Sequence, residues 1–240
     1  MSLTPKLSLL VSSISFSNLT FSSSSGTINF AGGWTSESFA EAQNSLGEDN
    51  ALDSFPQPTN TSVTQTATFA TASGNAAVTP SLSGGASTNT TLLDAPAEAI
   101  ATATGTLSNF FTISGASGTS VNVSVSALIS YLLNVQTDSL GVQARTETIF
   151  SVDIDGLPAL PLPFDNVFLV GSNSTMSTSS TSTSVKGTIS LDPSIEHLIE
   201  VQADSESSAI DTPEPSTMAL LLAGLGSLAA WARKKRSHTA

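Results

Sequence analysis

The sequence predicts an antiparallel β-sandwich of jelly-roll type, followed by one C-terminal hydrophobic helix. Three observations carry this. Apolar and polar residues alternate with a period of two in several stretches, as in Val121, Val123 and Val125 against Asn122, Ser124 and Ser126, the pattern of strands with one buried face. Turn residues divide the chain into roughly seven to ten such stretches, the layout of a sandwich. The run TMALLLAGLGSLAAW, from Thr217 to Trp231, breaks the pattern by being apolar on every side, as a helix surrounded by lipid is.

Taken in order, residues 1–26 open with Lys6 ahead of Leu7, Leu9, Leu10, Val11 and Ile14, diluted by serines. An export signal has a basic start and an apolar stretch of about 7 to 15 residues. This segment is therefore a degenerate or truncated signal, with the true start expected upstream of Met1, or else the first strand. Residues 27–203 are the expected β-sandwich domain. Within it, residues 37–58 mix acids with Gly47, Pro56 and Pro58 and read as a loop. Strands are expected from Ser62, where Val63, Gln65, Ala67 and Phe69 alternate with threonines, and again over residues 100–113, 120–136 and 141–154. Residues 137–141 read as the hairpin turn joining the last two. The proline-rich residues 157–163 can only be a loop or an edge. A short strand follows at 167–170, and the Ser/Thr run 172–184 reads as a solvent-facing strand continued through 185–191. Residues 195–203 close the domain as a strand or short helix, and 204–211 follow as an acidic linker.

Nineteen acidic residues against seven basic ones give a net charge of −12. Four of those bases are Arg233, Lys234, Lys235 and Arg236, so the rest of the chain holds only Lys6, Arg145 and Lys186. Such a body repels a phosphate backbone, which excludes nucleic acid as a partner. With no cysteine, disulfides, thiolate metal sites, a cysteine nucleophile and cysteine-linked lipid are excluded as well.

No catalytic residue is assigned. His197 is the only histidine ahead of residue 212, no Gly-x-Ser-x-Gly surrounds any serine, and His197 with Glu200 lacks the second histidine of a zinc motif. A surface histidine is expected. Asp153-Ile154-Asp155-Gly156 opens like a calcium loop, which makes Asp153 and Asp155 the only metal candidates, but a third oxygen ligand and a distal Glu are missing. A hairpin turn at Asp155-Gly156 explains the motif more simply, so no cofactor is expected, with calcium as the alternative. Trp34, beside Gly32-Gly33, is expected to be a packed aromatic at a turn, with an exposed stacking residue as the alternative. Asn-x-Ser/Thr triplets at Asn18, Asn60, Asn89, Asn122 and Asn173 mark surface positions.

The C-terminal segment, residues 212–240, has three parts. Thr212-Pro213-Glu214-Pro215-Ser216 is a stiff, extended stub, because each proline lacks a donor and biases its predecessor away from helix. Residues 217–232 form the hydrophobic helix, whose backbone is satisfied internally in lipid; Leu220, Leu221, Leu222, Leu225 and Leu228 are its anchor, with Trp231 at the interface. Arg233, Lys234, Lys235 and Arg236 stop it on the cytoplasmic side, which puts the N-terminal domain outside. Pro-Glu-Pro-Ser, a short Leu/Ala/Gly-rich helix and a terminal Arg/Lys cluster, in that order, resemble the PEP-CTERM sorting domain of Gram-negative and cyanobacterial proteins over residues 212–236.

The resemblance implies that an exosortase, a membrane-embedded transpeptidase-like enzyme, reads Pro213, Glu214, Pro215 and Ser216 and cleaves near them. Chemistry would then belong to the exosortase, not to this chain. It implies a precursor anchored in the inner membrane, then a product at the cell surface or outside the cell, in an exopolysaccharide or biofilm setting. The expected function is an exported, non-enzymatic surface or extracellular-matrix protein, with exosortase and exopolysaccharide as partners. A carbohydrate- or calcium-dependent adhesive module is the alternative, and a polysaccharide-acting hydrolase a third reading.

Overall fold

Alternation of small and polar residues runs farther along this chain than its large apolar residues suggest, and the strands are correspondingly long. The structure, a computed structural model, describes residues 7–44, 49–57, 60–67, 70–77, 82–93, 98–116, 118–137, 142–159, 166–170 and 176–211. Among them are thirteen strands: β1 (Leu7–Ser23), β2 (Thr27–Asn44), β3 (Asp49–Gln57), β4 (Thr61–Ala67), β5 (Ala70–Ala77), β6 (Ser83–Leu93), β7 (Glu98–Ser114), β8 (Val121–Thr137), β9 (Val142–Ile154), β10 (Leu157–Pro158), β11 (Asn166–Val170), β12 (Met176–Leu191) and β13 (His197–Asp211). No helix occurs among the described residues.

The strands form two sheets, one ordered β12-β8-β1-β6-β5-β4 and the other β10-β9-β13-β7-β2-β3, with β11 also on β9. Every pairing is antiparallel. The sheets lie face to face in matching lateral order: β4 and β5 over β2, β5 and β6 over β7, β6 and β1 over β13, β1 and β8 over β9. Most connections cross from one sheet to the other, and only β2-β3, β4-β5-β6 and β9-β10-β11 stay within one.

On β7 and β13 the inward side chains grow in size from one end of the strand to the other. On β7 they read Ala99, Ala101, Ala103, Gly105, Leu107, Asn109, Phe111 and Ile113. The adjacent β13, with Ala209 opposite Ala99 and His197 opposite Phe111, repeats the gradient through Ser207, Ser205, Ala203, Val201 and Ile199. These two strands thus give their sheet a small-residue half and a large-residue half, the narrow and the wide end of its inner face. Midway along β7 the two backbones come close: a Cβ on Gly105 would lie 2.1 Å from the Asn75 carbonyl oxygen, and one on Gly74 2.2 Å from that of Thr104. Buried hydroxyls fill what methyls do not. Ser205 donates to Ser12 at 2.8 Å, Thr90 and Ser207 meet at 2.7 Å, and Ser12 donates to the Glu147 carbonyl at 2.9 Å.

The wide end is aromatic. Trp34 stacks on Phe21 at 5.8 Å and touches Phe30, which in turn meets Phe111 at 5.9 Å. Fully burying each such ring contributes about 1.5–3 kcal/mol. Trp34 lies within a bulge between Ala31 and Thr35 where Gly32 takes φ +78°, and it is the packed aromatic expected, not an exposed stacking residue.

The all-β, two-sheet expectation holds, and strands cover every β-rich stretch anticipated between 62 and 203 that falls within the described residues. Several readings are corrected. Residues 37–58 are not a loop: the described part is the end of β2 and all of β3, paired from Ser36–Gln57 to Gln43–Asp49. Residues 137–141 do not join a hairpin, because β8 pairs with β1 and β12 in one sheet while β9 lies in the other. Residues 204–211 are not a linker but the last half of β13, between β7 and β9. In the parts of these stretches on β2 and β13 the inward residues are Ser and Ala, which bury well in a tight core but do not register as apolar. Residues 7–23 take the strand reading, β1, central in its sheet.

Candidate functional site

Alternation also decides what each sheet shows to solvent. The six strands β12, β8, β1, β6, β5 and β4 contain one charged residue, Lys186. Their outward side chains are mostly Ser, Thr and Asn, tied across strands by hydroxyl pairs such as Thr20–Ser126 at 2.7 Å, Ser124–Thr188 at 3.0 Å and Ser130–Ser182 at 3.0 Å. The opposite face is acidic. Glu37, Glu41, Glu98, Glu147, Asp153, Glu200, Asp204 and Glu206 project outward from β2, β7, β9 and β13, where the single outward base is Arg145. Glu147 stands opposite Glu206 and Asp153 opposite Glu200; Arg145 pairs with Glu147 and with Glu206. Like charges in register across strands are destabilising, and Arg145 offsets the Glu147–Glu206 pair. The Asn-x-Ser/Thr asparagines Asn18, Asn60, Asn89 and Asn122 are exposed as expected; Asn173 lies outside the described residues.

One polar cluster sits at the wide end. Asp155 and Gly156 both have positive φ, 54° and 74°, and form the two-residue turn between β9 and β10, where Leu157 stands opposite Ile154. Asp and Gly suit such a turn because both central residues must enter the left-handed region. The Asp155 amide donates to the Leu198 carbonyl at 2.9 Å, and its Oδ1 accepts from the Leu198 amide at 2.9 Å. Its Oδ2 lies 2.6 Å from His197 Nδ1. His197 Nε2 lies 2.8 Å from the Asp192 carbonyl oxygen, and the ring packs 5.3 Å from Phe111. The Asp192 carboxylate accepts from the Ser194 hydroxyl at 2.6 Å and the Ser194 amide at 2.9 Å. Those two donors hold its carboxyl below the usual range.

His197 is thus not the surface residue expected; it is 1% exposed. Nothing in the sequence links it to Asp155, and only register brings them together. An Asp–His couple suggests a catalytic dyad, but a base needs Nε2 open toward a nucleophile, and here that nitrogen meets a backbone carbonyl. Asp153 and Asp155 do not converge on a common point: Asp155 has both oxygens engaged by protein donors, while Asp153 faces Glu200 on the outer surface. Among the described residues no group of three or more His, Asp or Glu is placed to hold a metal.

β13 stays in register to its last residue, Asp211, opposite Val142, and the next segment starts with no spacer. Residues 211–236 match the PEP-CTERM protein-sorting motif. A PEP-CTERM motif implies processing by an exosortase-type system and marks an exported protein with a C-terminal membrane-anchoring sorting signal. The match contains Pro213, Glu214, Pro215 and Ser216, the apolar Leu220, Leu221, Leu222, Leu225, Leu228 and Trp231, and the basic Arg233, Lys234, Lys235 and Arg236. All of these lie outside the described residues. Among the described residues no helix is long and apolar enough to cross a membrane. A search of curated proteins finds no match to the chain.

Proposed function

We propose that this chain is a non-enzymatic protein of the cell surface or extracellular matrix, delivered by its PEP-CTERM motif into an exopolysaccharide setting. Residues 217–232 cross the inner membrane in the precursor, the basic cluster stays in the cytoplasm, and the sandwich stands outside. The observation that carries this is the motif match at 211–236, which starts on the final residue of the folded domain. The sandwich supports it through its chemistry: one uncharged hydroxyl face, one acidic face, and a buried histidine whose nitrogens both meet acceptors within the fold. A matrix component acting through its surfaces requires nothing more.

The second reading, a carbohydrate- or calcium-dependent adhesive module, draws on the hydroxyl face, whose side chains match the hydrogen-bonding of sugar hydroxyls. Glycan arrays probed with and without Ca²⁺ separate it from a passive matrix role. The primary reading is tested by intact-mass spectrometry of envelope and medium fractions from the native host. A product ending near Pro213 to Ser216, lost when the exosortase is deleted, is expected. A mature protein that still carries Arg233 to Ala240 would show a permanent anchor and end the sorting proposal.

A further inference from the structure

A ring nitrogen that faces a hydrogen-bond acceptor must carry a hydrogen, and a neutral imidazole carries only one. His197 faces an acceptor on each side: the Asp155 carboxylate at 2.6 Å from Nδ1 and the Asp192 carbonyl at 2.8 Å from Nε2. Were the ring neutral, one of these contacts would set lone pair against lone pair in a site shielded from water. From the turn side it is faced by Asp155, from the β12–β13 connection by Asp192, whose carboxylate is turned to Ser194, and from β7 by the uncharged Phe111. Its chain neighbours Glu196 and Glu200 are exposed, and no other titratable side chain is buried among the described residues.

We propose that His197 is held as the doubly protonated imidazolium and acts as a pH-operated clasp at the wide end of the sandwich. Protonated, it ties the β9–β10 turn to the β12–β13 connection. When one proton leaves, the link to the Asp192 carbonyl is the one to open, because the carboxylate keeps the remaining N–H through the stronger, charge-assisted bond. Residues 192–196, including the exposed Ile195, are then released from the ring. The sign follows from the ring's charge: the stabilisation is full while both nitrogens carry a proton between their two acceptors, and is lost once one proton leaves.

The test uses the full chain in detergent micelles with His238→Gln, which leaves His197 as the sole histidine. Nitrogen-15 NMR reads the ring from pH 5.5 to 9, and urea unfolding reads stability over the same range. Two protonated ring nitrogens at low pH are expected, with one N–H lost on raising pH. The folding equilibrium constant should fall over that step by roughly 10- to 100-fold, the scale of a hydrogen bond to a charged group. Asp155→Asn, which keeps a residue tolerant of the turn's backbone, should flatten the step. A folded-state ring with one bare nitrogen at pH 5.5, or a stability profile in Asp155→Asn that matches the parent's, would overturn the proposal. The ring measurement needs no change at the clasp itself.

Discussion

Gly105→Ala puts the close approach of the two sheets to its most direct test. The added Cβ would stand 2.1 Å from the carbonyl oxygen of Asn75 and 2.8 Å from that of Gly85, where even a weak C–H···O contact needs about 3.3 Å. The opposing sheet must therefore retreat by more than an ångström at that point. Neither obstacle can rotate away, since both are backbone atoms of the paired strands β5 and β6. Overpacking a core costs about 1–3 kcal/mol. With rigid obstacles the upper end is expected here, about a hundredfold in the folding constant. The sign is informative because, without a clash, Gly→Ala stabilises by about 0.4–1 kcal/mol through the unfolded chain. Gly33→Ala, with nothing within 4 Å of its Cβ, is the matched control. Gly74→Ala pushes on the same contact from the other side, against Thr104 and Phe39, so the double variant should cost less than the sum of the two singles. Urea unfolding followed by far-ultraviolet circular dichroism measures all four. A Gly105→Ala protein as stable as the parent would refute the backbone-to-backbone packing.

Other expectations can be measured in the same way. Phe111→Ala removes a fully buried ring that touches both Phe30 and His197, and should cost about 3–5 kcal/mol in urea unfolding. Thr146→Val and Thr148→Val should be neutral or stabilising by up to about 1 kcal/mol, since each replaces a buried hydroxyl without a partner by a methyl of similar size. Asp192, with its carboxyl held below the usual range by Ser194, contributes stability that is present above its unfolded value and lost as pH falls through its folded value. Ser194→Ala should therefore move the Asp192 midpoint back up in an NMR titration.

The sandwich was legible wherever inward residues are large. β8, with Val121, Val123 and Val125 inward, and β9, with Phe150, Val152 and Ile154, follow a plain period of two, and the Ser/Thr-rich β12 was identified as solvent-facing. The narrow half was not, because its inward positions are Ser36, Ser38, Ala40 and Ala42 on β2 and Ser205, Ser207 and Ala209 on β13. The period of two is present there, but it alternates small residues with acids, and acids draw the eye toward loop or linker. Pairing was a separate difficulty. Alternation reveals that a strand has a buried face and says nothing of which sheet it joins, so β8 and β9 were placed in one hairpin although they lie on opposite sides. The same ignorance hid the separation of charge, since acids scattered along the chain gather on one face only once strand order is known. His197 and Asp155 lie 42 residues apart, with no local signature to connect them. The C-terminal motif was readable because its three parts are contiguous and need no fold to bring them together.

The place of β13 between β9 and β7 also sets how the fold would answer a pull at its C-terminal end. A pull on residue 211 is directed along a strand held on both flanks, by β7 from Ile210 back to His197 and by β9 from Asp211 back to Ile199. Antiparallel hydrogen bonds run perpendicular to the strands, so such a pull strains both ladders in shear, many bonds at once, instead of opening them one after another as it would at an edge such as β12. A force applied at residue 211 would therefore load β13 through both of its neighbours at once.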